Sequence, residues 1–246
     1  MIEIYLVGIG TGNPKHLTLE GTEVLKDMEL ILLPKKSSKK KDLLKIRKYI
    51  CDLVINQNNT LIEEYLIPER SDNTDYFNSV SNWHLGISKN IEALINKHKK
   101  RVKKLAFLIW GDPGLYDSTL KIVDKLKIKK KGNMISGISS IQSLTSAFKI
   151  NLNEIGGSVL VTTGRNLNKE MFCKDFNILV MLDGNCSFKK FIKQECYIWW
   201  GAYLGMKNQI LIEGKLKNVC NEIICQRKKN KAIFGWIMDT YLIKKS

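Results

Sequence analysis

The chain has 246 residues, enough for two modest domains that each bury a core, and its 44% of hydrophobic residues is typical of a globular rather than a disordered protein. No apolar run reaches the roughly 18 residues of a membrane span, and no secretory signal is visible ahead of the strand-like residues 2–7, so we expect a cytoplasmic protein. The net charge of +16 favours an anionic partner, or else reflects a lysine-rich, solvated surface.

Short apolar runs alternate with longer amphipathic stretches along the chain. The predicted strands are residues 2–7, 30–33, 61–67, 105–110, 134–138, 159–163, 178–182, 197–202, 210–213 and 236–243. The predicted helices are residues 19–28, 43–53, 76–98, 118–126, 139–148 and 216–227. This alternation predicts an α/β protein with largely parallel sheets, and ten strands fit two five-stranded sheets. We place the domain boundary at Ser136-Gly137, between an N-terminal α/β domain (1–136) and a C-terminal α/β domain (137–246).

The six cysteines form no C-x-x-C pair, and with three histidines the chain shows no zinc-ligand spacing. Disulfides are unusual in a cytosolic chain of this size. We therefore expect buried or idle thiols and no metal.

A glycine-rich loop, Gly8-Ile9-Gly10-Thr11-Gly12, follows the first predicted strand. Three glycines let the backbone turn sharply and approach a ligand closely. The spacing is not G-x-G-x-x-G, and Pro34-Lys35-Lys36 follows the next strand where a ribose-binding acidic residue would be needed, so a nicotinamide site is disfavoured. The loop is either a structural tight turn or part of the wall of a binding cleft.

A second loop, residues 111–118, lies at the carboxyl end of an apolar strand, where open α/β sheets bind ligands. Asp117 or Ser118 can cap the helix that follows. Asp112 precedes a rigid Pro-Gly turn and has no evident capping duty, which makes it a stronger candidate for chemistry.

Further small and polar residues lie at the ends of later strands. Ser139 and Ser140 can cap a helix or hydrogen-bond the amino acid part of a ligand. Glycine, hydroxyl or carboxylate groups follow four more apolar runs, at residues 162–165, 180–184, 200–205 and 235–241. Each could be ordinary turn chemistry, but together they indicate one shared edge over a cleft.

In their order and spacing, these motifs resemble the tetrapyrrole methylases over the whole chain. The blocks at 110–120, 162–165, 181–184, 200–205 and 235–241 are similar to the members that methylate carbon 1 of precorrin-5 and release acetate. One departure is Asn13, where most of the family has Asp after the third glycine.

The resemblance implies two α/β domains with S-adenosylmethionine folded into the cleft between them, and no metal. The donor contacts that it implies are Gly111, Asp112, Leu115, Ser139, Ser140, Met181 and Ala202. The contacts expected for the substrate, a polycarboxylate tetrapyrrole, are Gly10, Thr11 and Arg165. Methyl transfer needs alignment and exclusion of water rather than a covalent nucleophile.

Release of acetate would profit from a general base. Asp112, Tyr116 and Asp117 are the catalytic candidates, and Asp239 is a further one. Two alternatives stay open: methylation at another macrocycle carbon, and a non-catalytic basic RNA-binding protein. Trp199 and Trp200 lie in an apolar strand without flanking lysines, which disfavours RNA. We expect no nucleic acid or membrane partner and leave open a homo-oligomer.

Overall fold

The computed structural model describes residues 1–36, 41–55, 59–70, 75–173 and 175–245. The chain forms two compact units, Met1–Ser139 and Ser140–Ser246, each with a five-stranded sheet. The predicted α/β architecture with two five-stranded sheets is therefore confirmed. The boundary after residue 136 stays a prediction.

The sheet of the first unit is parallel, in the order β3-β2-β4-β1-β5. Its strands are β1 (Ile2–Gly8), β2 (Leu30–Lys36), β3 (Leu61–Ile67), β4 (Lys104–Ile109) and β5 (Lys130–Ile135). Because all five run the same way, the loops that leave their carboxyl ends meet at one edge.

Helices cover both faces of this parallel sheet, as its apolar strands require. They are α1 (Leu19–Lys26), α2 (Lys41–Val54), α3 (Tyr76–His98) and α4 (Thr119–Asp124), with a 3-10 turn at Pro14–His16. Residues of α1 and α2 share a buried cluster with Val7 and Leu108, whereas residues of α3 and α4 share another with Leu6 and Phe107. The chain therefore leaves β4 toward one face and leaves its neighbours β1 and β2 toward the other. Such a reversal marks the ligand-binding position of open α/β sheets.

The second unit begins with α5 and has a mixed sheet in the order β6-β7-β10-β8-β9. Its elements are α5 (Ser140–Phe148), β6 (Ser158–Thr163), β7 (Phe176–Met181), β8 (Cys196–Ala202), β9 (Ile210–Lys215), α6 (Leu216–Phe234) and β10 (Asp239–Lys245). Short 3-10 helices lie at Glu170–Cys173 and Ser187–Phe191.

The prediction of largely parallel sheets is wrong for this unit, where β6 and β7 pair in parallel and the other three pairings are antiparallel. The seven-residue connection 203–209 is too short for a crossover, so β8 and β9 form a hairpin. β10 then returns between β7 and β8. Apolar periodicity shows which residues are buried but not the direction in which a strand pairs.

The predicted helix 216–227 is longer in the structure and ends at Phe234, before Gly235 with a φ of 72°. A glycine in this left-handed conformation is a common helix terminator. The strand predicted from residue 236 accordingly begins at Asp239. None of the helices in the described part of the chain is long and apolar enough to cross a membrane.

Candidate active site

The loops after β1 and β4, two neighbouring strands, are hydrogen-bonded to each other. Gly111 N–H donates to the Gly10 carbonyl at 2.8 Å, and Gly10 N–H donates to the Gly111 carbonyl at 3.3 Å. Gly10 and Gly111 have φ values of 75° and 71°, a backbone conformation that residues with a Cβ rarely adopt. The glycine-rich loop is thus part of a two-loop unit, and α1 begins further on, at Leu19.

The loop after β5 joins these two by direct backbone contact. A Cβ on Gly137 would lie 2.2 Å from the Gly111 carbonyl oxygen and 2.7 Å from the Gly8 Cα. Gly8 is equally confined, because its own Cβ would lie 2.6 Å from Gly137. Three loops from adjacent strands therefore converge where no side chain fits.

The Asp112 carboxylate connects two of these loops. Its Oδ1 accepts from Gly114 N–H at 2.8 Å, and its Oδ2 accepts from Gly137 N–H at 2.9 Å. Asp112 thus caps no helix, but both of its oxygens bind backbone N–H groups of loop residues, a structural role that the sequence did not suggest. Sequence spacing could not show this, because the second donor lies 25 residues away.

Asp117 also binds backbone, since its Oδ1 accepts from Thr119 N–H at 2.6 Å in the first turn of α4. Ser118 occupies the N-cap position without a side-chain hydrogen bond. Tyr116, between the two carboxylates in sequence, is exposed and has a φ of 52°.

Arg47 of α2 lies beside this loop and was not identified from the sequence. β2 pairs with β4 through Leu32 and then continues along β3. Leu108 follows the last residue of β4 that pairs with β2, and its carbonyl accepts a hydrogen bond from Arg47 Nε at 3.1 Å. The guanidinium carbon of Arg47 lies 5.8 Å from the Trp110 ring centroid. Burial lowers the pKa of Arg47, while Tyr65 and Asp117 oppose that shift.

The substrate-binding candidate Thr11 is buried, and its Oγ1 lies 3.2 Å from His16 Nδ1. Burial lowers the pKa of His16, which favours the neutral ring. In the second unit the candidate Arg165 is exposed and follows β6 at its carboxyl end.

In the second unit, the four strand ends expected to share an edge do so. Thr163, Met181, Thr240 and Gly201 are register partners across β6, β7, β10 and β8. Gly164 lies against Asp183, where a Cβ would approach the carboxylate carbon to 2.4 Å. The predicted donor contacts Met181 and Ala202 therefore belong to one sheet edge.

Three predicted donor contacts are each followed by a non-glycine residue in left-handed conformation. Leu115 precedes Tyr116, Met181 precedes Leu182, and Ala202 precedes Tyr203, with φ values of 52°, 52° and 51°. Such residues cost about 1–3 kcal/mol each and cluster at functional sites. Three of the five described non-glycine residues with positive φ thus follow predicted donor contacts, whereas the other two, Lys149 and Cys186, do not.

A buried polar network lies behind the edge of the second sheet. Both oxygens of Asp239 are engaged by Arg227, and Oδ2 also accepts from Trp200 Nε1 at 2.8 Å. Asp183 accepts from the Tyr241 hydroxyl at 2.7 Å and from Ser187. These bonds favour a structural role for Asp239 over that of a general base.

Among the described residues, no group of three His, Cys, Asp or Glu could hold a metal ion. The five cysteines described are free, and Cys225 is the exposed one among them. Burial raises the pKa of Cys51 to about 12 and that of Cys196 to about 11, so these thiols stay protonated.

The chain matches the family model of the Tetrapyrrole (Corrin/Porphyrin) Methylases over residues 3–220. It is 37% identical to a precorrin-6A synthase [deacetylating] of Sinorhizobium sp over 250 residues, which cover all of this chain and 96% of that protein.

Solved structures show the same fold. A cobalamin synthesis related protein (CobF) from Corynebacterium diphtheriae superposes with a TM-score of 0.84 at 31% identity, covering all of this chain and 99% of that one. The uroporphyrin-III C-methyltransferase from Thermus thermophilus, solved with S-adenosyl homocysteine, superposes with a TM-score of 0.58 at 14% identity, covering 89% of this chain and 86% of that one.

Proposed function

Because the chain belongs to the tetrapyrrole (corrin/porphyrin) methylases, we propose that it is an S-adenosylmethionine-dependent methyltransferase of cobalamin biosynthesis that methylates carbon 1 of precorrin-5 and releases acetate, giving precorrin-6A. The observation that carries this proposal is the 37% identity to a precorrin-6A synthase along the whole chain. The CobF structure, similar over the full length of both chains, supports it.

The predicted donor contacts lie at the strand ends that the geometry singles out. In the first unit they are Gly111, Asp112, Leu115 and Ser139. In the second unit they are Ser140, Met181 and Ala202. The left-handed residues that follow three of these positions turn the backbone there, which supports their role in ligand contact. The relative solved with S-adenosyl homocysteine supports the choice of donor.

Methyl transfer is an in-line displacement in which the macrocycle carbon bonds to the methyl carbon while sulfur keeps the electron pair of the broken bond. The protein contributes by aligning carbon, methyl and sulfur and by excluding water. The converged loops around Gly8, Gly111 and Gly137 leave little freedom for movement, which suits that task.

Loss of the acetyl group consumes one water and yields acetate, and it requires a group that can accept a proton. Asp112, Tyr116 and Asp117 remain our candidates. Each carboxylate has one or both oxygens on backbone N–H groups, which fix its orientation in the loop. The exposed Tyr116 lies between them in the loop.

The test is incubation of the purified protein with precorrin-5 and donor labelled in the methyl group. We expect one labelled methyl at carbon 1 and one equivalent of acetate, read by mass spectrometry and NMR. Reactions without donor control for spontaneous loss of acetate. Label at another carbon without acetate would assign the chain to a different methylation step, and no transfer to any tetrapyrrole would contradict the proposal.

A further inference from the structure

The first two residues of β10 contact every donor residue predicted in the second unit. Asp239 is the register partner of Ala202, and Thr240 is the register partner of Met181. The Thr240 hydroxyl donates to Ser140 Oγ at 2.9 Å. The position of this short segment therefore determines where Ser140, Met181 and Ala202 lie.

Arg227 of α6 fixes that segment from behind. Its Nε lies 2.7 Å from Asp239 Oδ2, and its Nη2 donates to Oδ1 at 3.1 Å. The same Nη2 donates to the Asp183 carbonyl at 2.5 Å, and Nη1 donates to Cys186 Sγ at 3.0 Å. One guanidinium thus joins the start of β10 to the turn that leaves β7.

The left-handed residues Leu182 and Tyr203 each lie next to one part of this arrangement. Leu182 precedes Asp183, whose carbonyl Arg227 binds. Tyr203 N–H donates to the Met238 carbonyl at 2.9 Å, and its hydroxyl donates to the Trp236 carbonyl at 2.7 Å. Unfavourable backbone conformations persist where the surroundings over-determine them. Arg227 and the segment before β10 provide that constraint.

The ion pair is buried, with side-chain exposures of 10% for Arg227 and 4% for Asp239. Burial alone would lower the pKa of Arg227, but the Asp239 carboxylate raises it above its usual value, so the guanidinium stays charged. A buried pair contributes little net stability compared with apolar residues, whereas it fixes geometry. Net stability alone therefore does not account for this pair.

We propose that Arg227 is a positioning residue for donor binding, whose guanidinium holds the ends of β7 and β10 where Ser140, Met181 and Ala202 can contact S-adenosylmethionine. The inference rests on the proposed function. It assigns Arg227 no contact with the donor itself.

Arg227→Lys is the main variant, because it keeps the charge but cannot reach Asp239, Asp183 and Cys186 at once. Asp239→Asn is the second variant; it keeps the size and one acceptor oxygen, and serves if the lysine variant fails to fold. The matched control is Ile223→Ala, one helical turn earlier in α6 and fully buried, which removes packing but none of the hydrogen bonds of the network.

Donor affinity is measured by calorimetry with S-adenosylhomocysteine, below the melting temperature of every variant. We expect Arg227→Lys and Asp239→Asn to raise the Kd for S-adenosylhomocysteine roughly tenfold or more, because a shift of about 1 Å at the strand ends would misalign the residues that contact it. Ile223→Ala should melt earlier with Kd within about twofold of wild type, because it leaves every hydrogen bond of Arg227 and Asp239 in place. KM for the donor should rise more than kcat falls in Arg227→Lys.

If Arg227→Lys and Asp239→Asn melt early yet bind like wild type, the network is structural and the inference is overturned by itself. An Ile223→Ala variant that loses affinity as much as Arg227→Lys overturns it as well, because any loss of stability would then suffice. Wild-type protein that gives no heat overturns the proposed function, and the inference falls with it.

Discussion

Asp112 and Asp117 belong to one loop but hold different parts of the first unit. Asp112 joins its own turn to the loop after β5, through Gly114 and Gly137. Asp117 binds the first turn of a short helix, α4. Loss of Asp112 therefore disturbs the point where three loops converge, whereas loss of Asp117 disturbs one helix end.

We predict that Asp112→Ala lowers methyl transfer roughly tenfold or more, while Asp117→Ala lowers it less. Asp112→Ala should also cost about 1–3 kcal/mol of unfolding free energy, since two backbone N–H groups lose their partner. Asp117→Ala should cost about 1 kcal/mol, the usual effect of a lost cap. Turnover and urea unfolding of the two variants decide it. If Asp117→Ala abolishes turnover with unchanged stability, the roles are reversed.

The residues that sequence motifs missed are the arginines that bind distant groups. Arg227 reaches Asp183, 44 positions earlier, and Arg47 reaches Leu108, 61 positions later. No local spacing encodes such contacts. A compositional signal was available, because five of the 40 basic residues are arginine in a lysine-rich chain, and a planar, bidentate guanidinium is what lysine cannot replace.

At the scale of elements, the sequence was most informative where apolar periodicity is long and uninterrupted. The strand Leu61–Ile67 and the helix Tyr76–His98 have the predicted bounds. The mixed second sheet was missed because pairing direction depends on tertiary contacts. The late end of α6, and with it the start of β10 at Asp239, had a local signal in Gly235. Motif positions were predictable, whereas the bonds between motifs were not.

We predict that Gly137→Ala destabilises the first unit by about 1–3 kcal/mol, because the added methyl overlaps the Gly111 carbonyl and the loops must separate. Gly132→Ala in β5 is the control, since a Cβ there meets nothing within 4 Å. Urea unfolding of the two variants measures the difference. Equal stability of both would show that the loops can part without cost, contrary to the convergence described above.

At the scale of the whole molecule, the net charge of +16 would attract the proposed tetrapyrrole substrate, which carries many carboxylates. Attraction between exposed groups is screened over a Debye length of roughly 8–10 Å near physiological salt. We predict that KM for the tetrapyrrole rises with salt while KM for the donor, which carries little net charge, stays nearly constant. A salt series at fixed pH measures both constants.

In the same salt series, the KM for the tetrapyrrole should depend less on salt in Arg165→Ala than in wild type, because a guanidinium can bind a carboxylate through two hydrogen bonds. Equal salt dependence for both substrates, unchanged in Arg165→Ala, would mean that the lysines only solvate the surface.

The central position of β10 has a consequence for how the protein is made. As the chain emerges from the ribosome, β6 can pair with β7 and β8 with β9, but the strand that joins these two halves is synthesised after all of them. Until residue 245 has emerged, β7 and β8 each present an unpaired edge, the kind of surface on which nascent chains aggregate. The first unit can mature during translation, whereas the second closes at its final strand, so translational stalling before Asp239 leaves a half-finished sheet for chaperones to protect.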